Sequence, residues 1–355
     1  MEEEDAFSKV VKATMMKLSE EAKKKERQSL LNKKRLQAQP FEMPSDSMID
    51  FGKHFLYNEV SNIIFVDKSW DALSLLMRED TSIFIQRPRR FGKSTFMRFL
   101  RFLCIYGLDY KDLKEKYSTL QIFHKDETPE VCIFSSHNYL PIYLDFSRFN
   151  VNASLDNQIS DALKGQIRIL IDEFLKMDKP EHSEMLKVLS DINRRCDSED
   201  CPNNILQKFD IFLTLNYKVI LLIDEYESPI LAKLSMFNDK SILESDLKLY
   251  EKNYALFFST VKSFCGQGIV SKIIMTGVIS LLHLGIFSGA NNFQNLSYEK
   301  EFKTTFGFSF EEIKQNLNIK NIIIHLLSKH QFLNETDDDE VKNEKFDQYL
   351  REMFK

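Results

Sequence analysis

Two short runs of the chain contain the residue types that bind phosphate and a divalent metal ion. The first is Arg87-Pro88-Arg89-Arg90-Phe91-Gly92-Lys93-Ser94, which follows an apolar strand-like run and precedes a helix-like one. Such a loop turns backbone N–H groups toward phosphate oxygens at a helix N-terminus. We expect Lys93 to reach the β- and γ-phosphates of a nucleoside triphosphate, and the Ser94 hydroxyl to bind Mg²⁺.

The second run, residues 219–225, is an apolar strand pattern that ends in two acids. We expect Asp224 to hold Mg²⁺ through water and Glu225 to polarise the attacking water. Arg87 stands where the usual phosphate loop has its first glycine, so the strict pattern fails. A chance Gly-Lys-Ser turn and a solvated strand end are the alternatives. The strand–loop–helix context, followed by the Asp-Glu strand, favours the nucleotide site.

Composition limits the class of protein. With 355 residues, 43% of them hydrophobic, the chain can bury one large core or two modest ones. A net charge of −5 gives no global basic signature for nucleic acid. The five cysteines lack metal-ligand spacing, which indicates reduced thiols in a cytoplasmic or nuclear protein. No secretory signal and no apolar run of membrane-spanning length is recognisable, so the protein is predicted to be neither secreted nor transmembrane.

Apolar strand-like runs alternate with longer helical patterns. The predicted strands are 83–85, 141–146, 219–223 and 273–276, and the predicted helices are 95–106, 155–176 and 246–264. Continuous apolar strands separated by helices indicate a parallel sheet covered on both faces. We therefore predict an α/β fold, a P-loop NTPase three-layer sandwich with a mostly parallel sheet. One strand separates the two motif strands in sequence, which suits the branch of these proteins that carries a catalytic glutamate.

The predicted organisation has three parts. Residues 1–44 form a charged helical leader, 45–305 the core, and 306–355 a small helical lid and tail. Two polar, weakly periodic stretches, 107–139 and 178–210, are predicted to be insertions.

The lid is predicted to begin with a capping box. Ser309 has the character of a helix N-cap, and Glu312 follows three residues later.

An ordered set of motifs runs through the chain. Its members are Val66-Asp67-Lys68-Ser69, Arg87 to Ser94, Leu222-Ile223-Asp224-Glu225-Tyr226-Glu227-Ser228-Pro229-Ile230, Met275-Thr276-Gly277-Val278, Ser288-Gly289-Ala290-Asn291-Asn292 and Phe306-Gly307-Phe308-Ser309. Over residues 50 to 320, this set resembles the AAA-ATPase-like family of P-loop ATPases. Many relatives continue into a PD-(D/E)XK nuclease-like domain. Residues 321–355 are too few for that domain, so the resemblance implies no nuclease activity.

The resemblance implies roles for particular residues. Glu225, Lys93 and Thr276 become the catalytic set, with Thr276 at a strand end where related ATPases sense the γ-phosphate or orient water. Ser94 and Asp224 become the Mg²⁺ ligands. The implied nucleotide-binding residues are Arg89, Arg90, Phe91, Gly92, Lys93, Ser94 and Thr95. The arginines also belong to the family's own loop pattern and can form charge-assisted bonds to phosphate.

The expected activity is Mg²⁺-dependent ATP binding with slow ATP hydrolysis, linked to nucleic-acid processing. ATP is favoured over GTP because no Asn-Lys-x-Asp run occurs. The alternative is an ATP-gated binding or regulatory module without productive turnover.

The partner is the least determined feature. Nucleic acid rests on the family's nuclease-linked architecture and on the basic blocks 23–25 and 33–35, and an unknown protein partner is the other candidate. After residue 225 the only arginine in the sequence is Arg351, in the tail, so few arginines of that half could complete a neighbour's site; Arg148, Arg194 and Arg195 are the other candidates. A monomer or loose dimer is therefore predicted over a stable hexameric ring.

Overall fold

One parallel sheet organises the described part of the chain. The computed structural model describes residues 66–106, 120–123, 138–196, 200–238, 244–280, 293–315, 323–324, 327–328 and 339–353. Its strands are β1 Ser82–Gln86, β2 Asn138–Asp145, β3 Tyr217–Asp224, β4 Val270–Gly277 and β5 Gln294–Asn295. Their order is β2-β3-β4-β1-β5, and every neighbouring pair is parallel. β4 thus lies between the two motif strands, β1 and β3.

Helices connect the strands. They are α1 Ser69–Met77, α2 Lys93–Tyr106, α3 Leu155–Met177, α4 Ser183–Arg195, α5 Pro202–Gln207, α6 Ile211–Thr214, α7 Ser228–Asn238, α8 Glu244–Gly266, α9 Phe310–Gln315 and α10 Asp339–Met353. Among the described residues, no helix is both long enough and apolar enough to cross a membrane.

Both faces of the sheet are buried. Alternate residues of a strand point to opposite faces. On β3, Val219, Leu221 and Ile223 join a core that also contains buried residues of α3 and α8. Ile220 and Leu222 of the same strand point the other way and are equally inaccessible to solvent. A strand buried on both sides reads as a continuous apolar run, which is why the sequence reveals it. The predicted α/β three-layer fold is confirmed.

The stretch 178–210 has more structure than its polar composition suggests. It contains α4 and α5, and α4 packs its residues Met185, Leu189 and Ile192 into the core beside α3. The other predicted insertion lies outside the described residues except at 120–123 and 138–139. The leader 1–44 also lies outside them, and the three domain boundaries stay predictions.

The segment that precedes α9 is fixed by its own side chains. The Ser309 backbone N–H donates to Glu312 Oε2 at 2.7 Å, and the Glu312 backbone N–H donates to Ser309 Oγ at 3.1 Å, so the predicted capping box is confirmed. Lys68, which is buried, donates to Glu312 Oε1 at 2.5 Å and to the Thr304 carbonyl at 2.6 Å. Lys68, which precedes α1, therefore fixes the segment that leads into α9 through these two bonds.

Gly277, at the end of β4, has no room for a side chain. A Cβ atom there would lie 2.4 Å from Glu227 Oε2 and 2.6 Å from Cε1 of the Tyr226 ring. We predict that Gly277→Ala lowers the free energy of unfolding by about 1–3 kcal/mol, because buried neighbours must move. Gly165→Ala is the control, since nothing lies within 4 Å of its Cβ position on α3. It should raise stability by about 0.5–1 kcal/mol. Urea unfolding measures both, and equal effects of the two variants would contradict this packing.

Candidate functional site

The loop 87–92 joins β1 to α2 at the carboxyl edge of the sheet. Arg90 and Gly92 have φ angles of 65° and 76°, in the left-handed region that glycine enters at low cost and arginine enters rarely. The Phe96 N–H donates to the Gly92 carbonyl at 2.9 Å, so α2 begins at Lys93 and not at the predicted Thr95. The first N–H groups of a helix have no partner within it, and they form an anion-binding position.

Lys93 connects the loop to the acids at the end of β3. Its side chain is 3% exposed, and Nζ lies 3.6 Å from Glu225 Oε1. Nζ also donates to the Pro88 carbonyl at 3.2 Å. A buried ammonium group needs such partners, because an unpaired buried charge is strongly unfavourable. The structure thus brings together two of the residues that the sequence predicts to be catalytic.

Asp224 is fully buried, and its carboxylate is held from three sides. The Thr276 hydroxyl donates to Oδ1 at 2.5 Å, the Glu225 backbone N–H donates to Oδ1 at 3.1 Å, and the Tyr143 hydroxyl donates to Oδ2 at 3.2 Å. Burial and the neighbouring Asp224 raise the pKa of Tyr143 well above its usual range, so the phenol keeps the proton that it donates. The ends of β2, β3 and β4 therefore meet at one carboxylate.

Glu225 begins a sharp turn after β3. Its φ is 52°, and its carbonyl accepts a hydrogen bond from the Ser228 N–H at 2.9 Å. Left-handed backbone is uncommon for a glutamate and recurs where the surrounding structure fixes a functional side chain. The Tyr226 N–H donates to the Thr276 carbonyl at 3.2 Å, which attaches this turn to β4. The Glu225 side chain is 23% exposed and can contact both Lys93 and a bound molecule.

The remaining predicted loop residues lie at the surface. Ser94 is half-buried, and the exposed members are Arg89, Arg90, Phe91, Gly92 and Thr95. Neither Arg89 nor Arg90 bonds to another described side chain or carbonyl, so both guanidinium groups face solvent beside the loop.

Arg87 has a different role from its two neighbours. It donates to the carbonyls of Gln86, Ser297 and Phe302 at 2.7, 3.0 and 2.8 Å. Burial lowers the pKa of its guanidinium group. The arginine that replaces the usual first glycine therefore fixes the segment after β5 against the start of the loop.

Two residues near the site are not predicted from the sequence. Tyr143 is a hydroxyl-bearing residue within a run predicted to be a buried strand, and that polar atom in an apolar run is the one signal for it. Glu227 lies two residues after Glu225 and is 2% exposed. Its Oε1 accepts the Val278 N–H at 2.6 Å, and its Oε2 is buried without a hydrogen-bond partner among the described residues. Burial raises the pKa of Glu227; its bond from Val278 opposes that rise, and the nearby Glu225 adds to it.

The residues present suit a magnesium ion that a nucleotide brings with it. Mg²⁺ prefers oxygen ligands, keeps several waters, and is usually bound by one or two carboxylates together with phosphates. The Ser94 hydroxyl and the Asp224 carboxylate are oxygen donors of this kind. No group of three or more His, Cys, Asp or Glu side chains that could hold a metal ion by itself occurs in the described ranges.

The three arginines predicted as candidates to complete a neighbour's site each form an ion pair with a nearby acid of the same chain. Arg148 pairs with Asp145, and both Arg194 and Arg195 pair with Asp191, and all three arginine side chains are exposed. The basic blocks 23–25 and 33–35 lie outside the described residues. Nucleic-acid binding and a monomeric or loosely dimeric state therefore stay predictions.

The chain matches a known protein family. A family model described as a predicted AAA-ATPase, AAA-ATPase_like, matches residues 54–287, a range that contains the loop, Asp224, Glu225 and Thr276. No curated protein matches the chain, and no solved structure matches it either.

The raised pKa of Glu227 predicts a pH dependence of stability. A carboxyl group with a raised folded-state pKa contributes stability below its unfolded pKa, and that contribution is lost as the pH rises through the folded-state value. Glu227→Gln cannot ionise, so its free energy of unfolding should improve relative to wild type as the pH rises from about 5 to about 8. Urea unfolding at both pH values tests this, with the exposed Glu344→Gln as control. A difference between Glu227→Gln and wild type that does not change with pH would contradict it.

Proposed function

The chain belongs to the AAA-ATPase-like family of predicted AAA-ATPases, and from that membership we propose that it binds ATP with Mg²⁺ and hydrolyses it slowly to ADP and phosphate. The observation that supports this most is the 3.6 Å contact between Lys93 Nζ and Glu225 Oε1, one residue beyond the buried Asp224. A cation on a phosphate loop and an acid that can polarise water are in contact at the carboxyl edge of a parallel sheet, where such folds bind ligands.

The contact indicates how ATP binding prepares hydrolysis. Phosphate oxygens carry more negative charge than one carboxylate, and they lie directly above the helix N-terminus when a nucleotide is bound. Lys93 then exchanges Glu225 for the β- and γ-phosphates. The freed Glu225 carboxylate, already partly exposed, accepts a hydrogen bond from the attacking water and orients it toward the γ-phosphate.

Ser94 and Asp224 are the proposed Mg²⁺ ligands. When bound, the ion neutralises charge on the phosphate oxygens during transfer. Both Asp224 oxygens already accept hydrogen bonds within the protein, which favours contact with Mg²⁺ through water. Arg89 and Arg90 are proposed to donate charge-assisted bonds to the phosphates, since both are exposed beside the loop.

Thr276 is proposed to act through Asp224. The resemblance implies a residue that senses the γ-phosphate or orients water, and a structural β-branched strand residue is the alternative, but the Thr276 hydroxyl is fully buried and donates a hydrogen bond to Asp224 Oδ1. With Tyr143 it fixes the direction of the carboxylate, which is the purpose of hydrogen-bonded neighbours around a metal-binding acid.

Two substitutions separate binding from hydrolysis. Lys93→Ala removes the phosphate-binding cation, so we expect ATP affinity to fall at least about tenfold, or roughly 1.4 kcal/mol. Glu225→Gln keeps the side-chain shape but cannot accept a proton, so binding should persist while turnover falls about 100-fold or more. Calorimetry measures the first effect, and phosphate release measures the second.

The exposed Lys252→Ala on α8 is the control, and it should match wild type in both assays. Absence of any ATP affinity in wild type with Mg²⁺ present would contradict the proposed function. Unchanged turnover in Glu225→Gln would contradict the assigned role of that residue.

A second function is supported by contacts between the loop and the segment that precedes α9. The ring of Phe96, in the first turn of α2, meets Phe306 edge-on with centroids 5.0 Å apart. Gly307 has a φ of 74°, and a Cβ atom there would lie 3.2 Å from the Phe91 ring. A nucleotide that moves the loop must therefore move this segment as well. An ATP-gated binding module would use that coupling without productive turnover.

Amide hydrogen exchange distinguishes the two functions. A non-hydrolysable ATP analogue with Mg²⁺ should slow exchange across residues 304–312 but leave the helix 183–195 unchanged. Slowed exchange in a protein with background turnover would favour the module, whereas clear turnover would favour the ATPase. Unchanged exchange at 304–312 with bound analogue would contradict the coupling.

A further inference from the structure

The turn after β3 and the segment after β4 are joined as one unit. The Tyr226 N–H donates to the Thr276 carbonyl at 3.2 Å, and the Tyr226 hydroxyl donates to the Ile279 carbonyl at 3.0 Å. Between these two bonds, the Val278 N–H donates to Glu227 Oε1 at 2.6 Å. The two residues that follow Glu225 are thus attached to Thr276, Val278 and Ile279.

The attachment leaves no space between the two segments. Gly277 faces Glu227 and Tyr226 so closely that a methyl group would overlap both. Tyr226 is itself fully buried against Phe84 of β1, with ring centroids 5.3 Å apart. A change at Glu227 must therefore alter the backbone near Thr276, the direction of Glu225, or both.

We propose that Glu227 is a positioning residue for ATP hydrolysis, which fixes the turn that carries Glu225 by accepting the Val278 N–H with its buried carboxyl group. This inference rests on the proposed function and adds a residue that the chemistry itself does not require. Glu227 touches neither ATP nor water in this role. It acts through the direction of Glu225, and a misplacement of about 1 Å at a reacting group can reduce turnover 100-fold.

The surroundings of Glu227 favour a neutral carboxyl group. Ionisable groups near it are Glu225 on the same turn, Lys93 on α2, and the fully buried Tyr226 and Tyr254. Glu225 raises the pKa of Glu227 and Lys93 lowers it, while burial is the largest contribution and raises it. When Lys93 moves to phosphate, an ionised Glu227 would repel the freed Glu225 carboxylate. A neutral acid avoids that repulsion and still offers Oε1 to the Val278 N–H.

This reasoning predicts opposite results for two substitutions. Glu227→Ala removes the acceptor, so kcat should fall about tenfold or more while the KM for ATP changes less than about threefold. Glu227→Gln keeps an oxygen acceptor of similar reach, so it should restore kcat to within about threefold of wild type. Amide exchange at Val278 should be faster in Glu227→Ala than in wild type, and near the wild-type rate in Glu227→Gln.

Asp200→Ala is the control for general destabilisation, because Asp200 is a partly buried acid paired with Lys208 in the helical region before β3. Glu227→Ala with wild-type kcat would overturn the positioning role, as would Glu227→Gln that is as slow as Glu227→Ala. An equal loss of kcat in Asp200→Ala would overturn it too. A wild-type protein that binds ATP without turnover would instead contradict proposed hydrolysis, and this role with it.

Discussion

The carboxylate of Asp224 is the group on which the arrangement of the site depends. It is fully buried, and an ionised group in that position costs several kcal/mol unless hydrogen bonds surround it. Tyr143 and Thr276 supply those bonds from the strands on either side of β3. A shift of one residue in either strand pairing would turn the hydroxyl to the opposite face of the sheet. The register of the three strands and the hydrogen bonding of the Asp224 carboxylate therefore depend on each other. Since β4 lies between β3 and β1, it also positions the loop after β1 relative to that carboxylate.

The charge of the site is local. The chain as a whole carries a net charge of −5, so it exerts no general attraction on a nucleotide. Lys93 is paired with Glu225, whereas Arg89 and Arg90 face solvent beside the same loop. This distribution suits a site in which two exposed cations meet the incoming phosphates first. The buried cation then exchanges its carboxylate partner for phosphate oxygens, and the same exchange frees an acid to act on water.

The sequence predicts the strands β1 to β4 because each contains a mainly apolar run, as expected of strands buried on both faces. It does not predict β5, whose two residues, Gln294 and Asn295, are too few and too polar to form a pattern. The loop and the acids are recognisable from residue type and spacing. The donors to Asp224 are not, because Tyr143 lies 81 residues before it and Thr276 lies 52 residues after it. Only the folded sheet brings them together, just as only the fold shows that Glu227 is buried.

The exchange of partners at Lys93 is the central claim, and a crystal structure with a non-hydrolysable ATP analogue and Mg²⁺ tests it most directly. We predict that Lys93 Nζ bonds to the β- and γ-phosphate oxygens, and that its distance from Glu225 Oε1 exceeds the present 3.6 Å. A water molecule should then lie against Glu225. A nucleotide bound elsewhere, or one bound at the loop while Lys93 stays paired with Glu225, would contradict the proposed site.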